Sequence, residues 1–366
     1  MDSLFNDLEN GLRVSFDWFS FTVLEAPYCN DIIGALSLFG LLPSDFEIMP
    51  NGGKGYKSMM RLSGQQVYIY YNGSEDMGIH FEVRGSSIVN FLQYYSESIS
   101  FDCPFGECRD IDISSSLMRE FINTVLEHGK FSRIDLAVDN IGSIFYTPAE
   151  VNALHMQQCI VSRSRSFTYY EKTDSSSVVN GSTFYIGTRS SDIMLRVYDK
   201  QAEQNTKHPA NPIISPWVRW ELECKGKKVN AVAQNLASGK GLGTVAMGVL
   251  SNYIRIIDMD NNNRSRCSTS TKWDAFLCGI ERLALTVPEA EKSLEKSETY
   301  LNKQYAPTIA LLVMRDDGRY TSLMKIIDSG KKRLRPAQIQ RLPREAQERY
   351  YSELNKEDCY DITGSF

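Results

Sequence analysis

The sequence predicts an α+β fold: a mostly antiparallel central sheet with flanking helices, followed by a helical C-terminal region. Three observations predict it. Short segments with a two-residue apolar period recur up to Cys224, separated by Gly, Ser and Asn. Segments with helical spacing lie between them, such as Ser114–His128 with Leu117, Phe121 and Val125 on one stripe. From Lys227 onward the pattern is mostly helical.

In chain order, residues 12–23 alternate and read as a strand, and Asn30–Leu41 reads as a short helix. Ser58–Leu62, Gln66–Asn72 and Gly78–Arg84 read as a strand meander punctuated by Gly and Ser. Ser86–Tyr94 opens a helix, and Ser114–His128 leads into a strand over Phe131–Asn140. Pro148–Gln158 reads as helix, Ser164–Glu171 as strand and the polar stretch Lys172–Gly181 as loop. Two short strands and the start of a helix follow in Thr183–Gln204. Asn205–Pro216 contains three prolines and reads as irregular. Asp258–Thr271, DMDNNNRSRCSTST, has the composition of an exposed connection. Helix formers then fill Pro288–Lys303, Ala306–Arg315 and Thr321–Ser329. A chain of 366 residues suggests two domains, here one over 1–260 that contains the strands and a helical region over 272–366.

Three of these strands carry charge opposite an apolar face. In TFYIGTRSSDIMLRVYDKQAEQ (Thr183–Gln204), alternation puts Arg196, Tyr198 and Lys200 on one face. A tyrosine between two cations is placed to meet a phosphate. The cations would lower the phenol's pKa from about 10 and neutralise charge building on phosphorus. The same pattern also suits a strand tyrosine packed on a neighbour, with Arg and Lys in solvent. In Phe131–Asn140, Asp135 and Asp139 share the polar face, about 13 Å apart at ~3.3 Å per residue. In Pro216–Cys224, Arg219, Glu221 and Glu223 lie opposite Val218, Trp220 and Leu222. Adjacent strands presenting Asp135 and Glu221 would form an oxygen-rich site for Mg²⁺ or Mn²⁺. Cross-strand pairing between Arg and carboxylate is the alternative. Trp18, Phe19 and Tyr185 are candidates for stacking bases or for packing the core.

The segments SFDWFSFTV (Ser15–Val23), FEVRGSSIVNFL (Phe81–Leu92), RIDLAVDN (Arg133–Asn140), YIGTRSSD with LRVYDKQAEQ (Tyr185–Asp192, Leu195–Gln204) and WVRWELE (Trp217–Glu223) carry a family resemblance. The chain resembles the trans-acting rolling-circle replication initiators of Gram-positive plasmids. It looks closer still to the related relaxases of integrative conjugative elements, and some phage initiators belong to the same group. The likeness spans residues 12 to 285, and GTRSSD…RVYDK is its specific element.

The resemblance implies a nicking and joining enzyme whose tyrosine attacks a DNA phosphodiester with a divalent metal present. That attack leaves a 5′-phosphotyrosine link and a free 3′-OH. By position, Tyr198 matches the nucleophile, and Arg189, Arg196 and Lys200 would neutralise the developing charge. Asp135, Asp139, Glu221 and Glu223 lie on strands resembling those of the metal-binding carboxylates. A host helicase and DNA that is single-stranded or extruded at the cut are also implied. Relaxases of another class use a His-hydrophobe-His triplet, and His80, His128, His155 and His208 form none. Two alternatives stand beside the nicking enzyme: a non-catalytic origin-binding regulator on the same scaffold, and a metal nuclease that uses water.

Composition sets outer limits. Hydrophobic content of 42% and aromatic content of 11% suffice for a packed core. No apolar run reaches the ~18–20 residues of a membrane span, and MDSLFNDLENGLRV is not a signal peptide. Of eight scattered cysteines only Cys103 and Cys108 are close, with no second pair to complete a zinc site. Reduced thiols and a cytoplasmic setting are expected. The net charge of −5 opposes nucleic-acid binding as a sum, but its distribution favours it. Lys331, Lys332, Arg333 and Arg335 lie in a strongly basic stretch over Lys325–Arg344. That stretch suits phosphate contacts, a solvated helix end, or docking of a helicase or of a second subunit in a homodimer.

Overall fold

Alternation along the chain builds one large sheet, seen in a computed structural model that describes residues 6–8, 11–99, 115–175, 179–280 and 294–334, with isolated residues between 283 and 350. The first part contains β1 (Asn6–Leu8), β2 (Leu12–Val23), α1 (Ile32–Ser37), β3 (Phe46–Ile48), β4 (Ser58–Leu62), β5 (Val67–Tyr71) and β6 (Ile79–Arg84). Then come α2 (Ser87–Ile99), α3 (Ser115–His128), β7 (Gly129–Ile141), α4 (Pro148–Met156), β8 (Ile160–Ser162), β9 (Phe167–Thr173), β10 (Val179–Ile186) and β11 (Ile193–Asp199). The chain continues through α5 (Lys200–Lys207), β12 (Trp217–Lys225), α6 (Gly226–Ala237), α7 (Leu242–Tyr253), β13 (Ile254–Ile256) and α8 (Thr271–Phe276). It ends in α9 (Leu294–Arg315) and α10 (Thr321–Lys331).

Among the described residues the main sheet runs β3–β4–β5–β6–β2–β7–β12–β11–β10–β9, with β1 paired to β2 and every pairing antiparallel. The α+β class with a mostly antiparallel sheet is therefore the fold adopted. β8 and β13 form a separate pair.

The sheet is two-faced. Ile134, Leu136 and Val138 of β7 align with Cys224, Leu222 and Trp220 of β12, and these with Leu195 and Val197 of β11. Phe19 and Phe21 of β2 extend this apolar face and meet Phe91 of α2 and Phe121 of α3. Trp220 packs against Trp273 and Phe276 of α8, with ring centroids 5.6 and 5.0 Å away. Helices thus cover one side, and the opposite side is left to charge.

Two local devices shape that charged side. A β-bulge in β2 inserts Asp17 between Phe16, opposite Leu136, and Trp18, opposite Asp135. Phe16 and Phe19 both reach the core while Asp17 and Trp18 stay on the polar side, which strict alternation would forbid. The GTRSSD turn joins β10 to β11. Gly187 has φ +103°, and a Cβ there would come 2.8 Å from the Tyr253 hydroxyl oxygen. Ser191 closes the turn with its backbone N–H to the Thr188 carbonyl, and its hydroxyl accepts from the Thr188 N–H at 3.1 Å.

Several elements differ from the sequence expectation. Strands β9 and β10 extend into the stretch expected to be loop, and α5 runs to Lys207 before the proline-rich segment. Residues 258–270 are not a loose connection. Ile257 pairs with Thr269, Cys267 is buried, and the Asp258 N–H donates to the Ser268 carbonyl at 3.1 Å. Helix α9 is continuous through Pro307 rather than broken before Ala306. The chain separates into two compact units, 1–287 and 288–366, so α8 belongs with the sheet.

Candidate active site

The polar face gathers the charged strands in register. Tyr198 of β11 lies opposite Arg219 of β12, which lies opposite Asp139 of β7. One step along, Arg196 faces Glu221, which faces Ala137; a further step aligns Glu223 with Asp135. Asp135 therefore sits directly across from Glu223, and Glu221 is its diagonal neighbour.

The Tyr198 hydroxyl donates to Glu221 Oε2 at 3.1 Å. The other oxygen of Glu221 is held by Arg196 in a very short ion pair. Lys200 Nζ approaches the phenol oxygen at 3.4 Å and is itself tied to Glu203 at 2.6 Å. Lys200 is the first residue of α5, which Asp199 caps by accepting from the Ala202 N–H at 2.8 Å. Burial pushes the Tyr198 phenol well above its ordinary value; Glu221 adds to the rise and Arg219 opposes it. The expectation that flanking cations would acidify this tyrosine is thus corrected. Burial and the nearest carboxylate outweigh them, and the phenol keeps its proton at rest.

The four candidate metal ligands separate into two groups. Asp139 is fully buried and accepts two hydrogen bonds from Arg219, at 2.6 and 2.7 Å, and one from Trp217 Nε1 at 2.6 Å. Arg219 also pairs with Asp17 on the bulge. Asp139 is therefore a bracing residue with its oxygens occupied. Asp135 and Glu223 instead share one cation: Arg133 Nη2 lies 2.5 Å from Asp135 and 2.8 Å from Glu223. Burial pushes the Asp135 carboxyl up, Arg133 pulls it back, and Glu221 and Glu223 add to the rise. Lys225 holds the second oxygen of Glu223 at 2.5 Å.

Among the described residues no three acidic, His or Cys side chains are arranged as a metal-binding group. Asp135 and Glu223 nevertheless converge on a single positive group, with Glu221 beside them. A hard divalent ion takes all-oxygen donors, so Asp135 and Glu223 suit one in donor type, with Arg133 and Lys225 on their oxygens here.

Tyr198, Arg196, Lys200 and Glu221 line a cleft of about 1000 Å³ together with Tyr185 and Trp217. Arg189 does not join them. It lies in the β10–β11 turn, at the far end of β11 from Tyr198, and its carbonyl accepts from Lys225 Nζ at 2.6 Å. Phe19 is buried in the core and unavailable for stacking. Trp18 lies between Arg84 and Arg133, each guanidinium 4.0 Å from the ring centroid. Tyr185 meets Tyr170 edge to face at 5.9 Å on the cleft wall. The sequence did not single out Arg133, Asp17 or Glu203 as site residues. Only Arg133, two residues before Asp135 on the same strand face, left a signal. Lys331, Lys332 and Arg333 are exposed at the end of α10 in the second unit, whereas Arg335, Arg341, Arg344 and the Cys103–Cys108 pair lie outside the described residues.

Comparison with known proteins assigns this two-faced antiparallel sheet and its tyrosine-bearing polar face to a family. Residues 129–327, more than half of the chain, match the model of the Rep_trans family, replication initiation factors, and the chain belongs to that family. It is 28% identical over 272 residues to the candidate DNA relaxase NicK of Bacillus subtilis (strain 168), covering 73% of this chain and 72% of that protein. The solved structure of a rolling circle replication initiator protein from Geobacillus stearothermophilus matches with a TM-score of 0.60 at 23% identity. That match covers 76% of this chain and 99% of the other and bears on the fold. Among the described residues no helix is long and apolar enough to cross a membrane.

Proposed function

We propose that this protein nicks and rejoins one DNA strand at an origin by tyrosine attack, as a rolling-circle replication initiator or conjugative relaxase. The observation that carries the proposal is the Tyr198 hydroxyl, hydrogen-bonded to a buried carboxylate within an open, cation-lined cleft. Membership of the replication initiation factor family supports it.

In the proposed step the Tyr198 proton passes to Glu221 Oε2, the base already in contact. The phenol oxygen bonds to phosphorus and the P–O3′ bond breaks. The products are a 5′-phosphotyrosine and a 3′ oxygen that takes a proton from solvent. Attack by that 3′-OH reverses the step and reseals the strand. Arg196 and Lys200 flank the reacting oxygen and favour charge on the phosphate. Asp135 and Glu223 would hold Mg²⁺ or Mn²⁺, which would supply charge neutralisation and orientation at the scissile phosphate. A single strand suits the cleft, and Tyr185 and Tyr170 offer rings on which bases stack. The second unit would contact DNA, a host helicase or a second copy of the chain.

The full pairing of every site carboxylate with an internal cation favours one rival, a DNA-binding regulator without chemistry. Incubation with a supercoiled plasmid carrying the cognate origin and Mg²⁺ separates the two. The expected product is a nicked plasmid linked to protein, lost in Tyr198→Phe while DNA binding persists. Nicking without a protease-sensitive adduct would point to water as the nucleophile. Binding without nicking would leave the regulator.

A further inference from the structure

The carboxylates that would bind a metal already hold a cation from their own chain. Arg133 donates Nε to Asp135 Oδ1 at 2.8 Å and Nη2 to Asp135 Oδ2 at 2.5 Å, and the same Nη2 reaches Glu223 at 2.8 Å. Asp135 is completely buried, and a carboxylate there requires a partner charge. Arg133 is the solvent-side member of the group, with 21% of its side chain exposed against 0% and 8% for the two acids. It is therefore the part that can leave without opening the sheet. Its landing place is present: the guanidinium already lies over Trp18 at 4.0 Å, opposite Arg84.

We infer that Arg133 is a resident counter-ion, displaced from Asp135 and Glu223 when a divalent ion binds and retained on Trp18. Ion and guanidinium exclude one another because both need the same carboxylate oxygens. In the resting state the guanidinium neutralises two buried acids and keeps the sheet folded. In the loaded state the divalent ion does so, and Arg133 turns its charge toward the DNA strand. This inference rests on the proposed metal-dependent reaction.

The test is calorimetric titration of Mg²⁺ into the full chain at fixed salt, with no DNA and no activity readout. Arg133→Gln should tighten Mg²⁺ binding by about tenfold or more, the factor one hydrogen bond between charged groups is typically worth. Arg133→Lys, which keeps the charge but loses the fork, should fall between the two. Arg84→Gln removes an equal charge beside Trp18 and should change the affinity much less than Arg133→Gln does, since Arg84 pairs with Glu82 and touches neither Asp135 nor Glu223 in the contacts described. Mg²⁺ should also shift the indole emission of the parent protein, and the shift should vanish in Trp18→Phe and in Arg133→Gln. Equal affinity in the parent and Arg133→Gln would end the exchange while leaving the metal in the proposed function. No Mg²⁺ binding by any of these proteins would remove both.

Discussion

Tyr198 rests as a protonated phenol because burial and Glu221 both disfavour a phenolate, so its activation needs a base in contact and cations close by. Period-two alternation made this much legible in the sequence. It fixes which side chains share a face, and Arg196, Tyr198, Asp135, Glu221 and Glu223 do share one. It does not fix which residues meet across strands. Register makes Glu223 the partner of Asp135, and it assigns Asp139 to Arg219. That last pair yields a stability prediction. Arg219 braces Asp139 through two hydrogen bonds, both side chains with little solvent access, and also binds the partly exposed Asp17. Arg219→Met removes both guanidinium donors from a buried carboxylate that keeps the Trp217 N–H. Urea denaturation should show a loss of ~3–5 kcal/mol, the usual penalty for breaking a buried pair from one side. A loss below about 1 kcal/mol would mean that the Arg219–Asp139 pair does not brace the sheet.

At the scale of elements, strands with clean alternation were readable and irregular ones were not. The meander β4–β6 appears almost as the alternation and its Gly-Ser punctuation predict. The β2 bulge escapes strict alternation, although the three-residue spacing from Phe16 to Phe19 is its trace. The polar run 258–270 has the composition of a linker but is held by the β-bridge at Thr269 and by the Arg255 guanidinium, which donates to the Cys267 carbonyl at 3.0 Å. Composition reports solvation of side chains and says nothing about backbone partners. The consequence is testable by truncation. A chain of residues 1–287 should unfold cooperatively, because it keeps Trp273 and Phe276 against Trp220. A chain of residues 1–260 should be destabilised by several kcal/mol or aggregate, each missing core aromatic being worth ~3–5 kcal/mol. Equal thermal midpoints for the two would show that α8 contributes nothing to the sheet's stability.

At the scale of the whole molecule, the sheet separates two tasks. Its apolar face carries the helices, and its polar face carries charge balanced internally, so the site can sit in a protein of net charge −5. Affinity for DNA then needs cations elsewhere, and Lys331, Lys332 and Arg333 are exposed at the end of α10. If they touch phosphates, replacing all three with Gln should weaken specific and unrelated DNA alike. It should also flatten the salt dependence by up to about 0.9 of log–log slope for each phosphate that is no longer neutralised. An unchanged slope, with only self-association or helicase-dependent unwinding impaired, would assign the segment to protein partners.

The nucleophile is the centre of the proposed function, and one measurement reaches it directly. The protein is reacted with an origin oligonucleotide and Mg²⁺, digested with trypsin and nuclease, and the adduct is located by mass spectrometry. The prediction is a 5′-phosphonucleotide on Tyr198, within the tryptic peptide Val197–Lys200. An adduct on Tyr185 or another residue, or cleavage of the strand with no adduct at all, would contradict it.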